Sequence, residues 1–481
     1  MSTLAAQPSS STLDDKAPPP RPEADDKSQL ETLESSLPDA TYAPVDHGFA
    51  AWSNLLASCV IGLFVWGFPN SSGALLAAYF EDERYMSQPH ATSRLPLIGT
   101  LSTGILYCSG IVIYPLIHYD LRLRRPFVWS GIVVSFVSLL GASFTTDVTL
   151  LIILQGVLFA IGASLAYCPL ISYMSEWWVE RIGLANGSIV AGDNSGAVLL
   201  PIIMPVLISH FGIQNTTRIY AVSLVICLVP AAYFIKPRLP ERRAHTGGLC
   251  KPAYHPWMRD QRMWLFILIN VLQGLAFFVP LTWLPTFTTA LGLSEARAAA
   301  PLTLINGTSI VAALTAGWLS DRCNVWMLAC VSIALSALAT FTLWGLASFS
   351  FAGVLVYSVA YGVTAGGWSS MWYAFVRPIS EGDTSVSTTL FSLLLFTRGV
   401  GNIASTPIAT SLQQHKLAVA HTHGAPRLGF DVAGGQYTGM IIYAGACFAG
   451  AAAVSALGWI LERRRGPERT AADDSQTTIR A

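Results

Sequence analysis

Charge is what this sequence has least of. Only 12% of its 481 residues are Asp, Glu, Lys or Arg, about half the roughly 25% of a soluble domain. With 52% hydrophobic residues, the chain cannot cover a water-facing exterior, so a soluble fold is excluded and a polytopic membrane protein is implied. Basic excess is missing too: 28 Lys and Arg balance 28 Asp and Glu, which leaves no signal for nucleic acid. Metal-ligand spacing is missing as well. Of the eight cysteines, Cys59, Cys108, Cys168, Cys227, Cys330 and Cys447 lie inside apolar runs and Cys323 at the end of one, where packing is the expected role. No phosphate-binding glycine loop with its Lys and no His-Glu-x-x-His pattern occurs, so no enzyme activity and no cofactor are expected. His415, His421 and His423 share one loop and read as solvated rather than as a metal site.

Long apolar runs are what the chain does have. Twelve of them, near 50–79, 95–117, 127–144, 148–174, 182–209, 216–235, 263–290, 299–320, 325–346, 349–376, 384–411 and 436–461, are each long enough for roughly 30 Å of hydrocarbon. Period-2 alternation is absent, so the runs are helices, not barrel strands. Residues 1–46 are rich in Ser, Pro and acids and read as a disordered tail without a signal peptide. The expected division is a six-helix bundle over 47–235, a polar linker over 236–262, a second six-helix bundle over 263–462 and a tail over 463–481. Lys and Arg crowd one set of loops: Arg122, Arg124, Arg125, Arg181, the linker, Arg322 and Arg377. By the positive-inside rule those loops and both termini are cytoplasmic.

Two charges stand near mid-membrane. Asp193 lies in span five among Gly183, Gly187, Gly192 and Gly196, and Arg398 lies in span eleven. An ionised Asp at bilayer centre costs roughly 2.5–3.5 kcal/mol on insertion scales, so each charge is expected to face a bundle interior or a wet cavity. Asp193 precedes Pro201 by eight residues and Arg398 precedes Pro407 by nine, which puts the two at nearly one depth in opposite halves. Arg keeps its charge and offers a planar fork suited to a carboxylate, so Arg398 is the candidate anchor for an organic anion. Asp193 is the candidate coupling group, with Asn186 on its helical stripe and Asn194 on the adjacent face. Structural roles for both charges stay open beside these. The glycine pairs permit close helix approach.

The halves also share a loop signal. Asp120 with Arg124 and Arg125 follows span two, and Gly317-Trp318-Leu319-Ser320-Asp321-Arg322 follows span eight. The duplicated pattern points to gating by acid, arginine and helix terminus at the cytoplasmic side. It resembles the loop motif of the major facilitator superfamily. Asp46-His47-Gly48-Phe49-Ala50-Ala51-Trp52 before span one, the Ala-Gly-Asp-Asn-Ser-Gly run of span five and Arg398-Gly399-Val400-Gly401 are similar to the fungal monocarboxylate-transporter-like branch. That resemblance implies an all-α fold of two six-helix bundles with a cavity lined by spans one, four, seven and ten. Asn70, Tyr167, Gln273 and Trp368 are then the expected liners. It departs from the animal members, because span one has no interior ionisable residue and span eight offers Asn306 but no charge before Asp321.

The expected function is alternating-access transport of a monocarboxylate or related organic anion, with protons as the candidate coupling ion and the plasma membrane as the expected site. Export of a secondary metabolite, a non-transporting sensor and a vacuolar location are the alternatives. Oligomeric state is left open.

Overall fold

The computed structural model describes residues 43–239, 256–380, 384–414 and 427–480, with backbone only for 256, 295, 296, 384, 385, 414 and 465–480. Most of the expected N-terminal tail, part of the linker and the loop of His415, His421 and His423 lie outside the described residues.

Among the described residues, ten helical stretches are long and apolar enough to cross a membrane. In chain order they give α1 (Gly48–Glu81), α2 (Ala91–Tyr119), α3 (Leu121–Ala142), α4 (Val148–Trp177), the double stretch Ile182–Phe234, α7 (Gln261–Ala290), α8 (Arg297–Ser320), α9 (Val325–Ala347), α10 (Phe351–Ser380) and α12 (Thr438–Arg464). The double stretch has 53 residues and breaks at Gly212, with φ 76° and ψ 167°, a region essentially reserved for glycine. We call the part before Gly212 α5 and the part after it α6. A further 31-residue helix, Thr384–Gln414, is α11. The fold is all-helical, as membrane solvation requires: inside hydrocarbon each backbone N–H and C=O must find its partner within the segment.

Polar side chains mark where helices begin. Asp147 accepts the amides of Thr149 and Leu150 at the start of α4, and Asn324 those of Trp326 and Met327 at α9. These bonds satisfy N–H groups that the helix leaves orphaned. Two helices loosen into π-turns, Ile152–Leu158 in α4 and Thr340–Ala347 in α9. In α10 the helix gives way to a 3₁₀ turn at Trp368–Met371.

The α5 glycines divide into two faces. A Cβ on Gly192 or Gly196 would run into the backbone of Cys59 or Leu63 in α1. One on Gly183 or Gly187 would instead meet Gly317 or Ala313 of α8. The step of five residues from Gly187 to Gly192 turns a helix face by roughly 140°. Thus α5 packs tightly on its own half with one pair and on the opposite half with the other.

One end of the molecule carries the start of the linker, and we call it the linker end. There Trp177 Nε1 donates to Lys236 O at 2.9 Å. Arg124 is buried in an ion pair with Glu176 and lies 4.4 Å over the Tyr173 ring. Glu176 also accepts the linker amides of Arg238 and Leu239 at 3.0 and 3.3 Å. The buried acid thereby ties the linker to the first half.

Candidate functional site

A cavity of about 110 Å³ opens between the two halves, against roughly 10–15 Å³ for one water by the same measure. The first half contributes Trp66 and Asn70 from α1, Tyr107 from α2, Tyr167 from α4, and Asn186, Asp193 and Asn194 from α5. The second contributes Phe277 and Phe278 from α7, Asn306 from α8, Ser369 and Trp372 from α10, and Arg398 from α11.

Asp193 and Arg398 therefore share one chamber, but they form no ion pair among the described residues. Each is held by its own half. Tyr167 donates its hydroxyl to Asp193 Oδ2 at 2.9 Å. Arg398 donates to Gln273 Oε1 at 2.6 Å, and its guanidinium carbon lies 4.5, 5.4 and 6.0 Å from the ring centroids of Phe277, Phe278 and Trp372. An aromatic face attracts a cation, so the box holds the charge while leaving it in a poorly hydrated place. A permanent cation so placed suits an anion with an apolar body.

Two expected liners stand one layer back. Gln273 does not reach the cavity; it steadies Arg398. Trp368 is 1% exposed and donates Nε1 to Asn270 Oδ1 at 2.8 Å, while Trp372, four residues on, reaches the cavity instead. The 3₁₀ turn explains the exchange, because a change from 3.6 to 3.0 residues per turn re-aims the face that follows. Asn270 itself was not legible as a site residue. Its amide nitrogen donates to Leu394 O and Thr397 Oγ1, both at 2.8 Å, so it ties α7 to α10 and α11 just beside Arg398. Phe277 was findable, since it follows Gln273 by four residues and shares its helical face.

Among the described residues, three sets of hydrogen bonds join the halves, all toward the linker end. Asn186 Nδ2 donates to Ser369 O at 2.9 Å and Ser370 O at 3.2 Å, using carbonyls freed by the α10 break. Tyr373 donates to Ile171 O at 3.3 Å. Asp321 accepts the amides of Gly183 at 2.7 Å and Leu184 at 2.9 Å, at the N-terminus of α5. Burial raises the Asp321 carboxyl above its ordinary range, while those amides and Arg377 pull it back. Beside it, Asp46 accepts from Val179, Glu180 and Arg181 at 3.0–3.4 Å. Two carboxylates thus serve one helix N-terminus.

The other expected gating residues have the following partners among the described residues. Asp120 accepts the Arg122 amide at 3.0 Å and caps a short 3₁₀ turn. Arg124 is committed to Glu176 inside the first half, and Arg125 is exposed. Arg322 lies 3.9 Å over Trp318 of its own half. Residues 381–383, just before α11, lie outside the described residues, so the counterpart of the Asp321 contact is not in view.

A sequence profile of the Major Facilitator Superfamily matches residues 55–406. The chain belongs to the major facilitator superfamily. It is 30% identical to zebrafish (Danio rerio) monocarboxylate transporter 10 over 58% of this chain and 56% of that one. It is 23% identical to the fujikurins efflux protein of Gibberella fujikuroi over 80% and 81%. Among solved structures, the proton:xylose symporter XylE superposes with a TM-score of 0.61 at 15% identity, covering 84% of this chain and 94% of that one. At that identity the likeness speaks for the fold. As a superfamily member the chain is a secondary transporter rather than an enzyme, a multi-pass membrane protein for a small molecule.

Proposed function

We propose that this transporter carries a monocarboxylate or related organic anion by alternating access, linked to protons, with the linker end and both termini in the cytoplasm of a plasma-membrane carrier. The observation that carries this reading is Arg398: a cation at the cavity wall, steadied by Gln273 and boxed by three rings. A carboxylate bridges to such a fork with paired, charge-assisted bonds. The aromatic walls favour a substrate with an unsaturated or ring-bearing body, and Asn70, Asn186, Asn194 and Asn306 offer hydrogen bonds to its polar groups.

Asp193 is the proton site in this scheme. It is an acid with one hydrogen-bond donor, on the opposite half from Arg398, so proton and anion act on separate bundles. The contacts of Asp321, Asn186 and Tyr373 form the cytoplasmic gate, and their closure corresponds to the state with the cavity shut from the cytoplasm. Asn186 serves both roles, since its carboxamide lines the cavity and latches α10.

Uptake of labelled carboxylates into vesicles, with and without a pH gradient, tests this directly. Flux that survives Arg398→Ala sinks the anchor, and flux indifferent to the gradient sinks the coupling. Export of a larger metabolite is the second reading, favoured by the aromatic walls and by the named efflux relative. Inside-out vesicles that load the compound, when right-side-out vesicles do not, would decide for it.

A further inference from the structure

We propose that Gly62 of α1 is the seat of Asp193, a positioning residue whose missing side chain receives the acid in its protonated form and releases it to the cavity when ionised. The proposal rests on the reading of Asp193 as the proton site.

The geometry begins with an orphan. Asp193 Oδ1 is shut away from solvent and, among the described residues, has no hydrogen-bond partner. A Cβ built on Gly62 would collide with that oxygen and lie 3.4 Å from Asp193 Cγ. The carboxyl group therefore reaches from the Tyr167 hydroxyl at Oδ2 into a notch in α1 at Oδ1. The notch is fixed in place, because Gly192 and Gly196 pack α5 against the α1 backbone on either side of it.

The groups around the acid decide which form fits. From α1, Cys59 is near, and its thiol donates to Ser188 O at 3.2 Å. From α2 comes the phenol of Tyr107, and from α4 that of Tyr167. None of these carries a positive charge. The cation of the chamber, Arg398, belongs to α11 and is engaged by Gln273. An ionised carboxylate in the notch would keep a single hydrogen bond and no counter-charge, which burial penalises heavily. A neutral carboxyl loses far less there. Ionisation thus favours rotation of Asp193 out of the notch, toward cavity water and Arg398. Proton release would then change both the α1–α5 seam and the field at the substrate anchor.

The test reads the acid itself. Infrared difference spectra of the purified full chain in lipid nanodiscs follow the C=O band of a protonated carboxyl as pH is varied. We expect a band that Asp193→Asn removes. We expect Gly62→Ala, which fills the seat, to move its midpoint toward acid by at least about one pH unit. A band that survives Asp193→Asn, or a midpoint unmoved by Gly62→Ala, overturns the proposal. Should Gly62→Ala fail to accumulate, the Gly62→Ala/Asp193→Ala double variant decides. Accumulation at the level of Asp193→Ala shows that the carboxyl was the obstacle, and failure of the double variant refutes the seat. A band that behaves as expected while a pH gradient drives no uptake leaves the seat standing and removes the proton coupling.

Discussion

Replacing Asp321 with Ala should open the linker end. The carboxylate joins the halves through two amide bonds at 2.7 and 2.9 Å, and a hydrogen bond to a charged acceptor contributes about 1.5–3 kcal/mol net. The α5 N-terminus adds about 0.3–1 kcal/mol for a negative charge there. Opposing effects act on the same contact: the acid is partly desolvated, Asp46 repels it, and the amides regain water when the end opens. These bring the low end of the sum, about 3.3 kcal/mol, down to an expected shift of about 2 kcal/mol, roughly 30-fold in the ratio of closed to open forms. Asp321→Asn keeps one acceptor oxygen and should shift it by about half that free energy. Spin labels on native Cys323, which is exposed, and on Glu180→Cys report the distance across this end in nanodiscs. A folded Asp321→Ala protein with an unchanged distance distribution would refute the view of Asp321 as a latch.

Acidity should act on the same contact. The closed-state carboxyl of Asp321 sits above its ordinary range, mainly through desolvation, so the closed form binds the proton more tightly than a solvated open form does. Its contribution to closure is then complete below the ordinary carboxylate range and fades as pH rises through the raised value. Labelling of a linker-end cysteine should accordingly slow as the pH falls from neutral toward the ordinary carboxylate range, with Asp321→Asn abolishing that part of the trend. Arg398→Lys keeps the charge but loses the planar fork, and the KM for a carboxylate should rise about 10-fold or more. Asn270→Leu keeps the branched shape but strands the Trp368 indole N–H, with a loss of about 2–3 kcal/mol in a reversible unfolding measurement in detergent. An unchanged unfolding midpoint would count against Asn270 as the tie between α7, α10 and α11.

The helical crossings were legible because hydropathy is a property of each run, whatever its neighbours. Even the break between α5 and α6 fell in the short gap left between two apolar runs, and Gly212 supplies its geometry. Asp193 and Arg398 stood out for the same reason: a charge within hydrocarbon is expensive in any arrangement. What these helices do not record is rotation. A helix apolar all round has little amphipathic signature, so its sequence does not say which side meets the cavity. Hence the expectation of Trp368 and Gln273 in the cavity wall gives way to Trp372 in the wall and Gln273 behind Arg398.

The loop motifs show the same division. Asp120 and Asp321 are alike in sequence; among the described residues, Asp321 reaches the opposite half because the N-terminus of α5 lies against it. The sequence by itself determined the membrane class, the crossings and the two interior charges, all set by the cost of moving groups from water into hydrocarbon. Tertiary structure alone decided that one glycine pair of α5 faces α1 and the other α8, that Asp46 shares a helix terminus with Asp321, and that Asp193 rests against Gly62. Those pairings depend on the rotation and register of packed helices, which close contact fixes and composition does not.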